Sequence, residues 1–282
     1  MKNILFPTDF SEQSHNALLY ALQIAQKTNA RILTLHVFFK PDITGAGHLP
    51  QTMEQFYESI DLYELEIYRN ELPALKKIAQ SVGLDQIEMQ HLLKEGNPQE
   101  TIVEIAKAEN ADLIVMGTSG AHGLKAIFWG SIAGEVMESA PCPVLAIPAK
   151  AAFDGKIDNI VFTTSYSEEE ITALHRVSAF AASFEAAIHC VNVDLAHIEQ
   201  ITGHMQQFKG ATADLANIQY QVLDGIDIRE EISKYALQNK ADIIAMVTHR
   251  RNFLEELFHY SKTKDMAYHS HTPVFAIPAS TL

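Results

Sequence analysis

Short runs of Ile, Leu, Val and Phe alternate along the chain with segments whose apolar residues recur at helical spacing. Ile4 to Phe6 reads as a short buried strand. Ala17, Leu18, Ala21, Leu22 and Ala25 then mark a helix that Ser11 or Ser14 can cap. Arg31 to Phe38, rich in Ile, Leu and Val, is the second strand. Ser59 to Ala79 predicts a long helix with Ile60, Tyr63, Ile67 and Leu75 among its apolar positions, and Pro73 predicts a kink or a new segment there. Gln86 to Leu93 is an imperfect strand, Thr101 to Glu109 a helix, and Leu113 to Met116 a fully apolar strand. A helix within Trp129 to Ala140 and a last strand, Val144 to Ile147, complete the series. Strands apolar on both faces and separated by helices predict an α/β fold, with a parallel sheet covered on both sides.

The series runs twice. Asn3-Ile4-Leu5-Phe6-Pro7-Thr8-Asp9-Phe10-Ser11 returns as Asn159-Ile160-Val161-Phe162-Thr163-Thr164-Ser165-Tyr166-Ser167. Ala111-Asp112-Leu113-Ile114-Val115-Met116 pairs with Ala241-Asp242-Ile243-Ile244-Ala245-Met246, and Pro143 to Pro148 pairs with Pro273 to Pro278. The first match is offset by 156 residues and the later two by 130, so the first half holds extra residues, placed around Phe39 to Ser59. Three matches in one order point to a duplication. The expected domains are residues 1–148 and 157–282, with a short linker near Ala149 to Asp158.

Composition narrows the function classes. The 282 residues carry a formal net charge of −14, and no run of Lys or Arg offsets it, which argues against nucleic acid and anionic membranes as partners. No stretch approaches the roughly 18 uncharged apolar residues of a membrane span, and the N-terminal segment lacks a signal-peptide core. Two cysteines, Cys142 and Cys190, make no disulfide framework. The expectation is a soluble, cytoplasmic protein. The 13 histidines, with His269 and His271 as the best ligand pair, match no standard zinc spacing. No Ser-His-Asp or Cys-His set can be assembled.

The candidate chemistry sits in Gly117 to Ser131, directly after the strand Leu113 to Met116. In a parallel sheet that is the carboxyl edge, where ligands bind. Gly117, Gly120 and Gly123 allow tight turns and close approach of the backbone to a ligand. Gly130 and Ser131 open a helix whose first N–H groups suit a phosphate, with His122 and Lys125 nearby. The segment is neither a P-loop nor a dinucleotide fingerprint, and a glycine-rich surface turn with an ordinary helix cap is its plain alternative. Asp9 ends the first strand on the same edge and suits either a ribose hydroxyl or a helix N-cap. Pro7 fixes the strand exit. Val37, at the end of the second strand, is a core valine or a contact for a base.

These residues resemble the universal stress protein family in its tandem form. Its nucleotide-binding members carry Gly-x2-Gly-x9-Gly-Ser/Thr, which Gly117, Gly120, Gly130 and Ser131 fit without gaps. Pro7-Thr8-Asp9-Phe10-Ser11 and Pro141 to Ile147 are similar to the family's opening and ending. The resemblance implies two tandem Rossmann-like domains, each a five-stranded parallel sheet flanked by helices. It implies ATP as ligand, with Asp9 toward ribose and adenine, and Val37 at adenine. Gly117 and Gly120 would pass near the phosphates and ribose, and Gly130 and Ser131 would hold the phosphates, often with a divalent metal such as Mg²⁺. It also implies a pseudo-dimer within the chain, Val144 to Ile147 lying against Val274 to Ile277, and leaves a further homo-dimer open. Some members hydrolyse ATP slowly. No general base can be named here, so the enzyme question stays open beside a scaffold that keeps nucleotide as a structural ligand.

The second half departs from the motif. Ser165 stands for Asp9, Val247 for Gly117, Arg250 for Gly120 and Tyr260 for Gly130, while Ser261 keeps the place of Ser131. One nucleotide site per chain is expected, in the first half. The second domain is then scaffold, pairing surface or a site for something else, such as a small apolar ligand or a metal. The insertion at 39–59, with Met53, Phe56 and Tyr57, reads as a lid, a partner surface or a tolerated loop.

Overall fold

A computed structural model describes residues 1–40, 50–118, 131–195, 200–248 and 271–282, without the side chains of residues 50–56 and of Ser131. Its elements are β1 (Asn3–Pro7), α1 (Glu12–Thr28), β2 (Arg31–Phe38), α2 (Pro50–Ser81), β3 (Met89–Glu95), α3 (Pro98–Ala108), β4 (Leu113–Gly117), α4 (Ser131–Ser139) and β5 (Val144–Ile147) in the first half. The second half repeats them as β6 (Asn159–Thr163), α5 (Glu170–Ala182), β7 (Ala187–Asp194), α6 (Ile201–Ala211), β8 (Ile218–Asp224), α7 (Ile228–Gln238), β9 (Ile243–Thr248) and β10 (Val274–Pro278).

All ten strands form one sheet, in the order β3-β2-β1-β4-β5-β10-β9-β6-β7-β8. Each half contributes a parallel five-stranded order, 3-2-1-4-5, and the halves meet through an antiparallel pairing of β5 with β10. Leu145 lies opposite Phe275. These are equivalent positions of the repeat, so the pairing has the self-complementary form of a two-fold interface.

Strand residues alternate between two cores. Ile4, Phe6, Leu113, Val115, Leu145 and Ile147 face α1 and α2, while Leu5, Ile114, Met116, Val144 and Ala146 face α3 and α4. Both faces are therefore buried, which is why the strands read as unbroken apolar runs. The same two layers continue into the second half, with Phe162, Ala245 and Phe275 in the first and Val161, Met246 and Ala276 in the second.

The matched polar residues of the repeat are structural. The Asp112 carboxylate accepts from the Lys2 and Asn3 amides at 2.6 and 3.0 Å, and Asp242 accepts from the Asp158 and Asn159 amides at 2.7 and 2.8 Å. In each half this ties the start of the first strand to the start of the fourth. After β1 and β6 the chain turns through Phe10 and Tyr166, at φ 60° and 59°. The hydroxyls of Thr8 and Thr164 accept from those two amides at 3.0 and 2.8 Å, holding this uncommon conformation.

Three element boundaries differ from the sequence reading. α2 starts at Pro50 instead of Ser59 and continues through Pro73 to Ser81 as one helix, so Pro73 starts no new segment. β3 begins at Met89, not Gln86. α3 begins at Pro98, three residues before Thr101, because the Asn97 side chain accepts from the Glu100 amide at 3.2 Å and Pro98 occupies the first turn. Asn97→Ala is expected to cost about 1 kcal/mol of stability, read from urea unfolding. No change in the midpoint would show the cap to be dispensable.

Candidate functional site

The order 3-2-1-4-5 makes β1 and β4 neighbours whose connections leave in opposite directions. The crevice at the carboxyl ends of such strands is where open α/β sheets take ligands. A cavity of about 210 Å³ lies there. The end of β1 contributes Pro7, Thr8 and Asp9 to it, β2 contributes Leu35 and Val37, and β4 contributes Met116, Gly117 and Thr118. Pro98 and Ile102 of α3 and Ile132 and Ala133 of α4 close the other side. Four residues singled out from sequence, Pro7, Asp9, Val37 and Gly117, thus meet around one space although 110 residues separate the first from the last.

Each is held by its neighbours. Pro7 ends β1 opposite Leu35, and Gly117 ends β4 opposite Ile147. The Asp9 carboxylate accepts from the Ser11 amide at 3.1 Å and the Ser11 hydroxyl at 2.6 Å. Ser11, not Asp9, caps α1: its hydroxyl accepts from the Ser14 amide at 3.3 Å. Asp9 therefore fixes the cap from one shell out and stays exposed at the mouth of the cavity. The Thr8 and Ser14 hydroxyls are 2.5 Å apart beneath it. His36, beside Val37, places Nδ1 2.8 Å from the Thr8 carbonyl and lies against the Phe10 ring at 4.8 Å between centroids, which ties the ends of β1 and β2 together. Asp9 is the one ionisable side chain among the described residues of the lining, and most of the wall is apolar.

Gly120, His122 and Gly130 lie outside the described residues. Ser131 is the first residue of α4, and its side chain is not described. Trp129, Lys125, His249, His259 and His269 also fall outside, as do the side chains of Met53 and Phe56. The Pro98 and Ile102 walls were absent from the sequence reading. Their signal was Asn97-Pro98, which starts α3 early enough to place it over the cavity.

Other singled-out groups lead elsewhere. Cys142 and Cys190 are buried, and burial pushes both thiols up, Cys142 to about 12. His189 is buried against the Tyr235 hydroxyl at 3.0 Å, and burial lowers its pKa. His271 is exposed beside the Lys150 carbonyl. Among the described residues no group of three or more His, Cys, Asp or Glu is placed to hold a metal, and no helix is long and apolar enough to cross a membrane.

Comparison with known proteins agrees with this architecture. Universal stress protein MJ0531 of Methanocaldococcus jannaschii is 36% identical over 146 residues, 52% of this chain and 81% of that protein. Universal stress protein MJ0577 of the same organism is 30% identical over 158 residues, 53% of this chain and 96% of its own length. Among solved structures, a universal stress protein from Archaeoglobus fulgidus DSM 4304 superimposes with a TM-score of 0.67 at 18% identity, covering 98% of this chain and 96% of that one. That likeness shows the fold, carried through both halves. The family model described as "Universal stress protein family" matches residues 1–148 and again residues 156–278. The chain belongs to the universal stress protein family, in a tandem two-domain form.

Proposed function

We infer that the front cleft binds ATP and that the protein serves a stress response through that binding. The observation that carries this reading is the convergence of Pro7, Asp9, Val37 and Gly117 on one cavity at the switch point of the first half. The apolar wall of Leu35, Val37, Ile102 and Met116 suits a flat base. Asp9 stands at the mouth, where a ribose hydroxyl can donate to it. Gly117 leaves the phosphate side without a side chain, toward Gly120, His122, Gly130 and Ser131. The first turn of α4, opening at Ser131, has N–H groups that find no acceptor within the helix and suit an anion. Mg²⁺ enters this reading through the phosphates. The described lining supplies no general base other than Asp9, which Ser11 already engages, so the reading is of binding and signalling rather than fast turnover.

Native mass spectrometry of gently purified chain is expected to find one adenine nucleotide per chain. Mg-ATP at about 100 times its Kd is expected to add about 2.7 kcal/mol of stability, seen as a raised melting temperature. Neither nucleotide nor shift would overturn the assignment.

A further inference from the structure

The second half has a cleft in the equivalent place, and its floor is not a copy of the first. A cavity of about 170 Å³ opens where β6, β7 and β9 end. Where the first half has Ser14, this half has Glu170, 5% exposed and part of the cavity lining. Its Oε2 accepts from the Thr164 hydroxyl at 2.7 Å, the Ser165 amide at 2.9 Å, the Ser165 hydroxyl at 3.0 Å and the Ser167 amide at 3.2 Å. Its Oε1 has no protein donor among the described residues, and no described Lys, Arg or His pairs with it. Oε1 is not an enclosed atom but opens onto the cavity, where a donor from a ligand can reach it. Around it the wall is apolar: Val191, Val193, Ile228, Ile232 and Val247.

We propose that the rear cleft binds a small amine or amidine, its cationic head donating to Glu170 Oε1 and its apolar body, about one six-membered ring in size, filling the space between Val193, Ile232 and Val247. Size sets the body, since a cavity of roughly 150 Å³ accepts benzene. Charge sets the head. A cationic donor makes a charge-assisted hydrogen bond to the carboxylate, whereas a phosphate or carboxylate ligand would bring a second acceptor group against it with no proton to share. The proposal does not depend on what the front cleft holds.

The test titrates the full chain with benzamidine, benzamide and benzoate by calorimetry, with and without excess Mg-ATP. Benzamidine is expected to bind once per chain, benzamide at least about tenfold more weakly, and benzoate not at all. Glu170→Gln is expected to weaken benzamidine by about tenfold or more and to close the gap to benzamide. Ile228→Trp fills the rim without touching the carboxylate network and is expected to exclude all three probes, which decides the matter should Glu170→Gln not fold. Mg-ATP is expected to leave benzamidine binding unchanged whether or not ATP itself binds. Failure of benzamidine to bind, equal binding of the three probes, full binding to Ile228→Trp, or displacement by ATP would each overturn the proposal.

Discussion

Gly117→Val is expected to lower the affinity for ATP by on the order of a hundredfold, about 2.7 kcal/mol, while leaving the melting temperature of the free protein nearly unchanged. Both halves of this expectation come from the repeat. Gly117 ends β4 opposite Ile147, and its counterpart Val247 is the penultimate residue of β9, opposite Ile277. Val247 is 2% exposed in a well-packed strand, so this backbone position accepts a β-branched residue. Val247 also lines the rear cavity, so an isopropyl group at 117 enters the front cavity, whose described volume is only about 210 Å³. A ligand that passes close to the backbone there must shift or leave. Gly117→Ala, with a single methyl, is expected to lose less. Calorimetric titration with Mg-ATP, paired with a circular-dichroism melt, reads both quantities. Full affinity in Gly117→Val would show that the nucleotide does not approach this strand end.

The parts of the fold that were legible in the sequence share one physical cause. A strand buried on both faces cannot alternate with polar residues, so β1, β4 and β5 stand out as apolar runs, and the duplicated run gives β6, β9 and β10 the same identity. β3 was less legible because it is an edge strand with a half-exposed pattern, and its start was read three residues early. The front of α2 is obscured in the sequence by Pro41, Gly45, Gly47 and Pro50, which read as a loop running into the helix. Pro50 is the kind of residue that opens a helix, and Met53, Phe56 and Tyr57 continue at helical spacing.

The candidate site divides in the same way. Pro7, Asp9, Val37 and Gly117 were legible because each lies at or beside the end of a strand on the same edge of the sheet. Ile102 and Ala133 were not, since they reach the cavity only when α3 packs on β2 and α4 on α3 and β5, which is a matter of packing rather than of motif. Glu170 was readable in principle. Carrying the 156-residue offset past Ser11 and Ser167 sets Glu170 against Ser14, a charge in place of a hydroxyl at a buried position.

Phe275→Ala is expected to destabilise the whole chain, by about 3–5 kcal/mol, and not the second half alone. Phe275 is 2% exposed and packs on the Phe180 ring at 4.8 Å between centroids. Across the β5–β10 seam it lies opposite Leu145, its own counterpart in the first half. The contact is therefore the point where the two copies share a core. Phe6, Val115 and Leu145 belong to the same apolar layer as Phe162, Phe180 and Phe275. Two domains joined only by a linker would melt separately, but two domains that complete one another's sheet and core lose both when the seam opens. The seam is reinforced where α4 meets the end of β9, the Thr248 hydroxyl donating to the Met137 carbonyl at 3.1 Å. Scanning calorimetry of the parent chain is expected to show one transition. Phe275→Ala is expected to move that transition down by roughly 10 °C without splitting it. Two transitions in the parent, or a loss confined to one of them in the variant, would mean that the continuous sheet is not a cooperative unit and that each half carries its own stability.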